Sequence, residues 1–317
     1  MTKMPYRQSL LTLFTVAITL GTMTLTSCGD DENDYNLGTG KEEKVTPQPP
    51  VVVNIPDIEV PQQSSKNESF VITHNALLNK KTGERGVNYR VEWDPVIHAQ
   101  RWCCYKMYGK MVNGVMQGTN GEYATRYTSD TNQYPNDPDC PSQYRFTTDP
   151  FWNSGYDHGH IIASADRLGS DEANYQTFFL TNMMPQANKF NAGIWAKMEA
   201  KVRNWALTYD TLYVCKGGTI DKEEHIIKYL GSGVNKIPVP KYFFMALLGK
   251  NSQGYTACAF WIEHKTSISA NDDLKKYMYN IRTLEGYTGI NFFHNLPDDI
   301  EDWVETLSID IIKSTWN

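Results

Sequence analysis

Histidine, amide and carboxylate side chains occur close together in one stretch of this 317-residue chain. The segment 156–160 carries two histidines, the segment 182–186 carries two amides, and Asn191 and Glu199 follow on a predicted helix. A phosphodiester resists hydrolysis because its charge repels nucleophiles and its alkoxide leaving group is poor. Catalysis therefore needs a base for water and a cation near the phosphate. These residue types predict phosphodiester hydrolysis assisted by one metal ion.

His160 is the candidate base, because imidazole titrates near neutral pH and the neighbouring Gly159 suits a segment that projects from a hairpin. Asn191 and Glu199 are separated by eight positions, which is roughly 12 Å along a straight α-helix and about 80° around it. Two short side chains so placed cannot both bind one ion directly. We therefore expect one direct ligand and one contact through water, which suits Mg²⁺ because it prefers oxygen and keeps several waters.

Each of these residues also has a structural interpretation when it is taken alone. Glu199 and Arg203 have the spacing of a surface ion pair on a helix. Asn182 and Gln186 flank Pro185 and suit a turn. The functional interpretation depends on the residues occurring together.

Strand-type sequence outnumbers helix-type sequence in the region that must position these residues. The predicted strands are 88–93, 102–108, 178–181, 211–215, 241–248, 255–262 and 277–281. Apolar residues every four positions predict a helix over 188–207 with Asn188 as its N-cap, and a shorter helix ends near Gly289. A long polar loop covers 109–150. Because the strands do not alternate with helices, the fold class is α+β with a mostly antiparallel central sheet.

The first 27 residues have the pattern of an export signal rather than of folded structure. Lys3 and Arg7 precede an apolar stretch over 10–20 that is too short to span a bilayer. The stretch 25–28 ends in Cys28 and resembles a bacterial lipoprotein signal, in which that cysteine is lipidated. This implies an exported protein, anchored only by its N-terminal lipid to the outer membrane on its periplasmic or surface face. The alternative is an ordinary secretory signal in which Cys28 has no role.

Residues 28–60 are predicted to be an acidic, proline-containing tether, and residues 61–317 to be one folded domain. The tether contains eight acidic and two basic residues, a net charge of −6. Because the whole chain has a net charge of −6 and the signal contributes +2, the folded domain carries −2. This near-neutral balance argues against a protein that holds nucleic acid by charge alone, but a metal ion supplies positive charge locally. The cysteines form no Cys-x-x-Cys pair, so a zinc site is not expected.

Taken together, the motifs resemble those of the DNA/RNA non-specific endonuclease family. They are Asp157-x-Gly159-His160, Asn182-x-x-Pro185-Gln186 and Asn191-x-x-x-Trp195-x-x-x-Glu199. Several motifs in one order at close spacing are more specific than any single one. The resemblance extends from about Asn88 to Trp303, is densest over 155–205, and implies a ββα-metal catalytic unit.

The resemblance implies that His160 is the general base that activates water. It implies that Asn191 is the direct protein ligand of one Mg²⁺, with Mn²⁺ as the alternative ion, and that Glu199 holds a water on that ion. The implied reaction is metal-dependent endonucleolytic cleavage of DNA and RNA to 5′-phosphate ends. Such enzymes contact the backbone of the nucleic acid rather than its bases.

Further site residues follow from the same resemblance. Asp157 belongs to the catalytic motif, and Asn182 and Gln186 orient the groups around the ion. Arg203 is similar in position to a family arginine near the phosphate. Arg126 matches an arginine that stabilises the charged transition state.

One position departs from the family pattern, because His158 stands where the family usually has arginine. A guanidinium is always charged and forks onto phosphate oxygens, whereas an imidazole does neither. His158 is still expected to donate a hydrogen bond to phosphate. We therefore expect activity that is weaker, or that declines earlier as pH rises, than with arginine.

Two other functions compete with the endonuclease. The first is a metal phosphodiesterase that acts on smaller substrates, because the site chemistry does not define substrate size. The second is a surface binding protein on a nuclease scaffold, in which His158 marks weakened catalysis. The second predicts that base or metal groups are missing, whereas His160, Asn191 and Glu199 are all present. The oligomeric state stays open.

Overall fold

A seven-stranded antiparallel sheet forms the centre of the molecule, in the order β1-β2-β3-β8-β11-β12-β13. The computed structural model describes residues 55–317. Two-stranded ladders join β4 to β5, β6 to β7 and β9 to β10. The strands are β1 (Phe70–Asn79), β2 (Glu84–Asp94), β3 (Ala99–Tyr108), β4 (Met111–Val112), β5 (Val115–Met116), β6 (Asp157–His160), β7 (Met183–Gln186), β8 (Thr211–Gly218), β9 (Ile226–Leu230), β10 (Ile237–Pro240), β11 (Tyr242–Asn251), β12 (Gly254–Glu263) and β13 (Met278–Tyr279).

Helices are fewer than strands in the described part of the chain. They are α1 (Asp171–Gln176), α2 (Asn188–Phe190), α3 (Ala196–Ala206), α4 (Ile281–Thr288), α5 (Asp298–Glu305) and α6 (Ile309–Thr315). A π-helical segment, Asn191–Trp195, joins α2 to α3. None of the helices within residues 55–317 has the length and apolar character needed to cross a membrane. The predicted α+β class with a mostly antiparallel sheet is confirmed.

The central sheet is buried on both faces. On β3, Cys103 packs on the side that carries α3, whereas the adjacent Cys104 packs on the side that carries α4 and α5. Met198 of α3 and Leu284 of α4 belong to these two opposite cores. Because successive side chains on a strand point to opposite faces, a strand buried on both sides is apolar throughout. This explains the continuous apolar runs that predicted the inner strands.

Three details of the predicted elements are wrong. Residues 178–181 form a turn and the start of a 3₁₀ segment that continue from α1, and the strand is Met183–Gln186. Ala187, not Asn188, occupies the N-cap of the first helical turn, because the Asn188 side chain binds elsewhere. The strand predicted over 277–281 contains two residues.

The folded region includes residues 55–60, which were predicted to belong to the tether. Ile58 is buried in the core beneath α4 and α5. Glu59 is also buried and forms ion pairs with Arg90 and Lys106. The predicted signal peptide, Cys28 and residues 29–54 of the tether lie outside the described residues. The five cysteines within residues 55–317 are buried free thiols.

Asn182 holds the connection between β6 and β7 in place. Its side chain is fully buried, accepts a hydrogen bond from the Ile162 amide at 2.9 Å, and donates to the carbonyls of Ile162 and Thr177 at 3.0 and 2.7 Å. Removing the amide leaves these buried backbone groups unpaired, and each such group costs about 1–3 kcal/mol. Asn182 therefore shapes the strand pair on which the candidate site is built.

Candidate active site

Strands β6 and β7 present the Asp-x-Gly-His motif against the amide motif. Asp157 is paired in register with Gln186, and His160 with Met183. Gln186 is fully buried, and its side chain lies directly against the backbone of Gly159, where any Cβ would collide with it. The glycine is therefore required by the close approach of the glutamine, and the pair brings the two motifs together as predicted.

His160 has an unpaired ring nitrogen. Its Nε2 atom is buried, and no group within residues 55–317 forms a hydrogen bond with it. The ring lies edge-on to Phe178 at 4.9 Å, and the Trp195 indole donates to the His160 carbonyl at 3.2 Å. Burial, reinforced by the charges of Arg126 and His158, lowers the pKa of His160 to about 3. The imidazole is therefore neutral near pH 7, which is the form that accepts a proton.

Asn191 is oriented by a hydrogen bond to Asp157. Its Nδ2 donates to Asp157 Oδ2 at 3.0 Å, and Asn188 donates to the same oxygen at 3.1 Å. Across residues 55–317, no donor forms a hydrogen bond with the Asn191 amide oxygen. Because the amide nitrogen is used, the oxygen is turned outward and stays available to a ligand.

The π-helical segment changes the expected angle between Asn191 and Glu199. The Ala196 amide donates to the Asn191 carbonyl five residues earlier, and Gly193 leaves helical geometry with φ −102° and ψ −109°. One extra residue in a turn offsets the later residues by roughly 100°. Because Gly193 is not helical, the chain is kinked between Asn191 and Glu199, and the separation of about 80° expected for a straight helix does not hold.

Glu199 belongs to a buried charge cluster with Asp166, Arg203 and Lys216. Asp166 accepts hydrogen bonds from Tyr105 at 2.6 Å and Arg203 at 2.9 Å, and Lys216 lies 3.5 Å away. Lys216 is fully buried, and its Nζ also lies 3.8 Å from Glu199 Oε1. The predicted surface pair between Glu199 and Arg203 is not the contact formed, because each has another partner.

The pKa values of Glu199 and Asp166 are shifted in opposite directions, although both side chains are buried. Burial is the largest effect on Glu199. Burial raises the pKa of Glu199 to about 7, although the positive charge of Lys216 opposes the rise. For Asp166 burial also acts to raise the pKa, but Lys216, Arg203 and the Tyr105 hydroxyl together hold it below its usual value. The Glu199 oxygen Oε1 is buried without a hydrogen-bond partner within residues 55–317. Additional positive charge near Glu199 would stabilise its ionised form.

The two arginines assigned to the site have different environments. Arg126 is exposed, has no carboxylate partner among residues 55–317, and lies 4.8 Å from the Phe178 ring that also contacts His160. Arg203 is partly buried and already paired with Asp166. Arg126 is therefore free to bind an external anion, whereas Arg203 contributes charge while it is held in the cluster.

His158 does not have the partners expected of a phosphate-binding group. Its Nε2 lies 2.9 Å from a carboxylate oxygen of Asp149. Its ring is stacked between Tyr134, at 3.7 Å, and Phe151, at 4.3 Å. The expectation that His158 donates to phosphate stays a prediction that now concerns Nδ1, because Nε2 binds the loop that precedes β6.

The residues present fit an oxygen-preferring metal ion. Asn191 offers its amide oxygen, and Glu199 offers Oε1, which has the ion contact with Lys216 but no hydrogen bond within residues 55–317. His160 Nε2 and the Gln186 amide on the strand pair are likewise buried without hydrogen bonds to those residues. Unpaired buried polar atoms are rare in native proteins unless a ligand, ion or water completes them. Asn191 would be the direct ligand and Glu199 would contact the hydration shell, as Mg²⁺ prefers.

A second group of metal-ligand types lies outside this site, at His74, Asp137 and Asp139. His74 approaches Asp137 through Nε2 at 3.1 Å and Asp139 through Nδ1 at 3.4 Å. One nitrogen of His74 and one oxygen of each acid lie within 4.8 Å of one another, a spacing that a single ion could bridge. Asp137 also accepts a hydrogen bond from Thr181 at 2.6 Å, so this cluster anchors the long loop to the sheet.

The sequence analysis missed Lys216 and Asp149. A lone lysine within the apolar strand β8 is a recognisable signal, because lysine is almost never fully buried unless it is paired. Its partners could not be inferred, because Asp166 and Glu199 are distant in sequence. Asp149 carries no comparable signal within a loop that has several acids.

The profile of the family described as DNA/RNA non-specific endonuclease matches residues 65–299. A nuclease of Syncephalastrum racemosum is 31% identical over 180 residues, which is 53% of this chain and 56% of that protein. Human mitochondrial endonuclease G is 27% identical over 165 residues, 50% of this chain and 56% of that protein. The chain thus spans about half the length of these relatives.

The crystal structure of the EndoG/EndoGI complex matches with a TM-score of 0.53 at 21% identity, covering 66% of this chain and 84% of that one. This likeness shows that the fold is shared. The family profile covers well over half of the chain and includes every motif of the site. The chain therefore belongs to the DNA/RNA non-specific endonuclease family.

Proposed function

We propose that this protein is a metal-dependent, sugar-non-specific endonuclease that hydrolyses phosphodiester bonds in DNA and RNA. One observation carries the proposal. The buried Nε2 of neutral His160 has no hydrogen bond within residues 55–317, and its strand is joined to the segment that carries Asn191 by the Asn191–Asp157 and Trp195–His160 hydrogen bonds. Family membership supports the substrate class, and the geometry supports the assignment of a base and of an ion site.

In the proposed mechanism, His160 accepts a proton from the attacking water at Nε2. Asp157 holds the Asn191 amide nitrogen, so the amide oxygen is the atom that would bind the ion. Mg²⁺, or Mn²⁺ in its place, supplies positive charge beside the scissile phosphate when it is bound. Arg126 adds charge at the open side of the site, because it has no internal acid to satisfy.

Removing the base should abolish most of the activity. Plasmid DNA and RNA should both be cleaved by the purified protein with Mg²⁺ and neither with EDTA. His160→Ala should reduce the rate by about 10²–10⁴-fold, the usual contribution of a positioned general base. His294→Ala is the control and should leave the rate unchanged, because His294 lies in the turn between α4 and α5, away from the elements that carry the site. No cleavage of either polymer between pH 5 and 9 would overturn the proposal, and cleavage of only a small phosphodiester would favour the alternative phosphodiesterase.

Asn191 and Asn188 provide a matched pair of variants, because both donate to Asp157 Oδ2. Asn191→Ala should remove the direct ligand, lower the rate by at least about 10²-fold, and weaken Mn²⁺ binding in calorimetry. Asn188→Ala should change the cleavage rate and the Mn²⁺ affinity by less than about threefold each. Equal losses in the two variants would show that Asn191 serves only to hold Asp157.

His158→Arg should leave the rate within about threefold of the parent and its pH profile unshifted. The reason is that an arginine at this position can also pair with Asp149 and stack between Tyr134 and Phe151. Steady-state rates from pH 5 to 9 measure this. A large gain in rate, or activity that persists to higher pH, would restore a phosphate-binding role for residue 158.

We also propose that the protein is exported and anchored by a lipid on Cys28. The supporting observation is the charged, apolar and small-residue pattern of residues 1–28. In a Gram-negative host, the full chain should sediment with membranes and need detergent for release. Cys28→Ser should remove the protein from that fraction. If the parent and the Cys28→Ser variant partition identically, the proposed lipid anchor is wrong, whatever the outcome of the nuclease assays.

A further inference from the structure

A cavity of about 400 Å³ lies beside the candidate active site. One wall is the loop 148–154, and the other is the turn between β9 and β10. Trp152 and Tyr229 contribute aromatic surface, whereas Asp149, Ser232 and Asn235 contribute polar groups. Flat aromatic faces beside hydrogen-bonding groups suit a planar, polar ligand.

Trp152 is exposed to an unusual degree. Its relative exposure of 78% is the highest among the exposed large apolar side chains of residues 55–317. The chain bends sharply after it, with positive φ at Asn153 (53°) and Gly155 (80°). The turn therefore holds a large apolar ring in water at the mouth of a cavity, where a stacked ligand would cover it.

The walls of this cavity are fixed before any ligand binds. The Asn235 side chain accepts hydrogen bonds from the amides of Thr147 at 2.8 Å and Thr148 at 3.1 Å. Asp149 accepts from the Phe151 amide at 2.9 Å and contacts His158. A preformed site avoids the cost of ordering its walls on binding.

The cavity is close to the proposed catalytic base. Asp149 lines the cavity and binds His158, which lies two residues before His160 on β6. That spacing is about 7 Å along a strand, and alternate side chains share one face. Tyr134 contacts both histidine rings, which confirms that they lie on the same side.

The charges around the cavity are mixed. Lys236 is exposed, and its ammonium lies 3.9 Å from the Tyr229 ring centre. The Tyr229 hydroxyl donates to Glu223 at 2.9 Å, and Asp149 adds a second acid. A cavity with these mixed charges fits the neutral edge of a nucleobase better than it fits a phosphate. Lys236 would then lie near the backbone of the bound strand.

We propose that this cavity binds one unpaired nucleobase of the substrate strand, stacked on Trp152 and recognised at its edge by Asp149 and Asn235. The inference rests on the proposed nuclease function and gives it a substrate preference. A base inside a duplex is stacked and paired and cannot enter the cavity. Single-stranded DNA and RNA are therefore the preferred substrates.

The experiment compares one oligonucleotide sequence as a single strand and as a duplex. Trp152→Ala should lower kcat/KM on the single strand about tenfold, mainly through KM, because base stacking on an aromatic side chain is worth about that factor. In the same variant, kcat/KM on the duplex should change by less than about twofold. Trp152→Phe should retain most of the parent kcat/KM on the single strand. Val96→Ala is the control, because Val96 is also an exposed apolar residue, at 68%, on the turn between β2 and β3.

A binding arm separates this inference from the proposed function. In EDTA, on a His160→Ala background, Trp152→Ala should weaken binding of a fluorescein-labelled single strand by a similar factor. Unchanged binding and unchanged kcat/KM, or equal losses on both substrate forms, would overturn the nucleobase site. If the parent cleaves nothing, the proposed function fails, and the binding arm alone decides the cavity.

Discussion

The buried carboxylate of Asp166 joins the site helix to the central sheet, and the rest of the site depends on this contact. Arg203 of α3 and Lys216 of β8 both bind Asp166, and Lys216 also approaches Glu199. Burial raises the pKa of Glu199 to about 7, so the firmly ionised acid between the two bases is Asp166, and its removal leaves their charges uncompensated. Breaking a buried pair from one side typically costs about 3–5 kcal/mol. This cluster therefore sets the rotation and height of α3, and with them the direction in which Glu199 points.

The π-helical turn adds a second constraint at the other end of the same helix. With α3 held on the sheet by Asp166, the extra residue near Gly193 determines where Asn191 faces. The hydrogen bond to Asp157 then fixes the Asn191 amide against β6. The two contacts act on different parts of this helical region, one at Asn191 and the other at Glu199.

Much of the fold follows from local sequence, whereas the details of the site do not. The apolar inner strands and the helix over 188–207 were predictable, because burial on both faces of a sheet and on one face of a helix leaves a pattern. The strand predicted at 178–181 was wrong, since the amides of Phe178 and Phe179 bond back to Tyr175 and Gln176 and continue the turn that ends α1. The helical bulge and the partners of His158 and Lys216 depend on contacts between distant segments. The spacing of residues in the sequence does not reveal such contacts.

The unpaired atoms of the site explain why its sequence breaks ordinary rules of stability. His160 Nε2, Glu199 Oε1 and both amide atoms of Gln186 are buried without hydrogen bonds to residues 55–317. Each such atom costs folding free energy that an apolar side chain of similar size would not. Gln186 also forces glycine at position 159, which removes a side chain from β6 and weakens the strand. Groups that the fold leaves unpaired are available to an ion, a water and a phosphate. The local cost to stability and the proposed chemistry therefore have one cause.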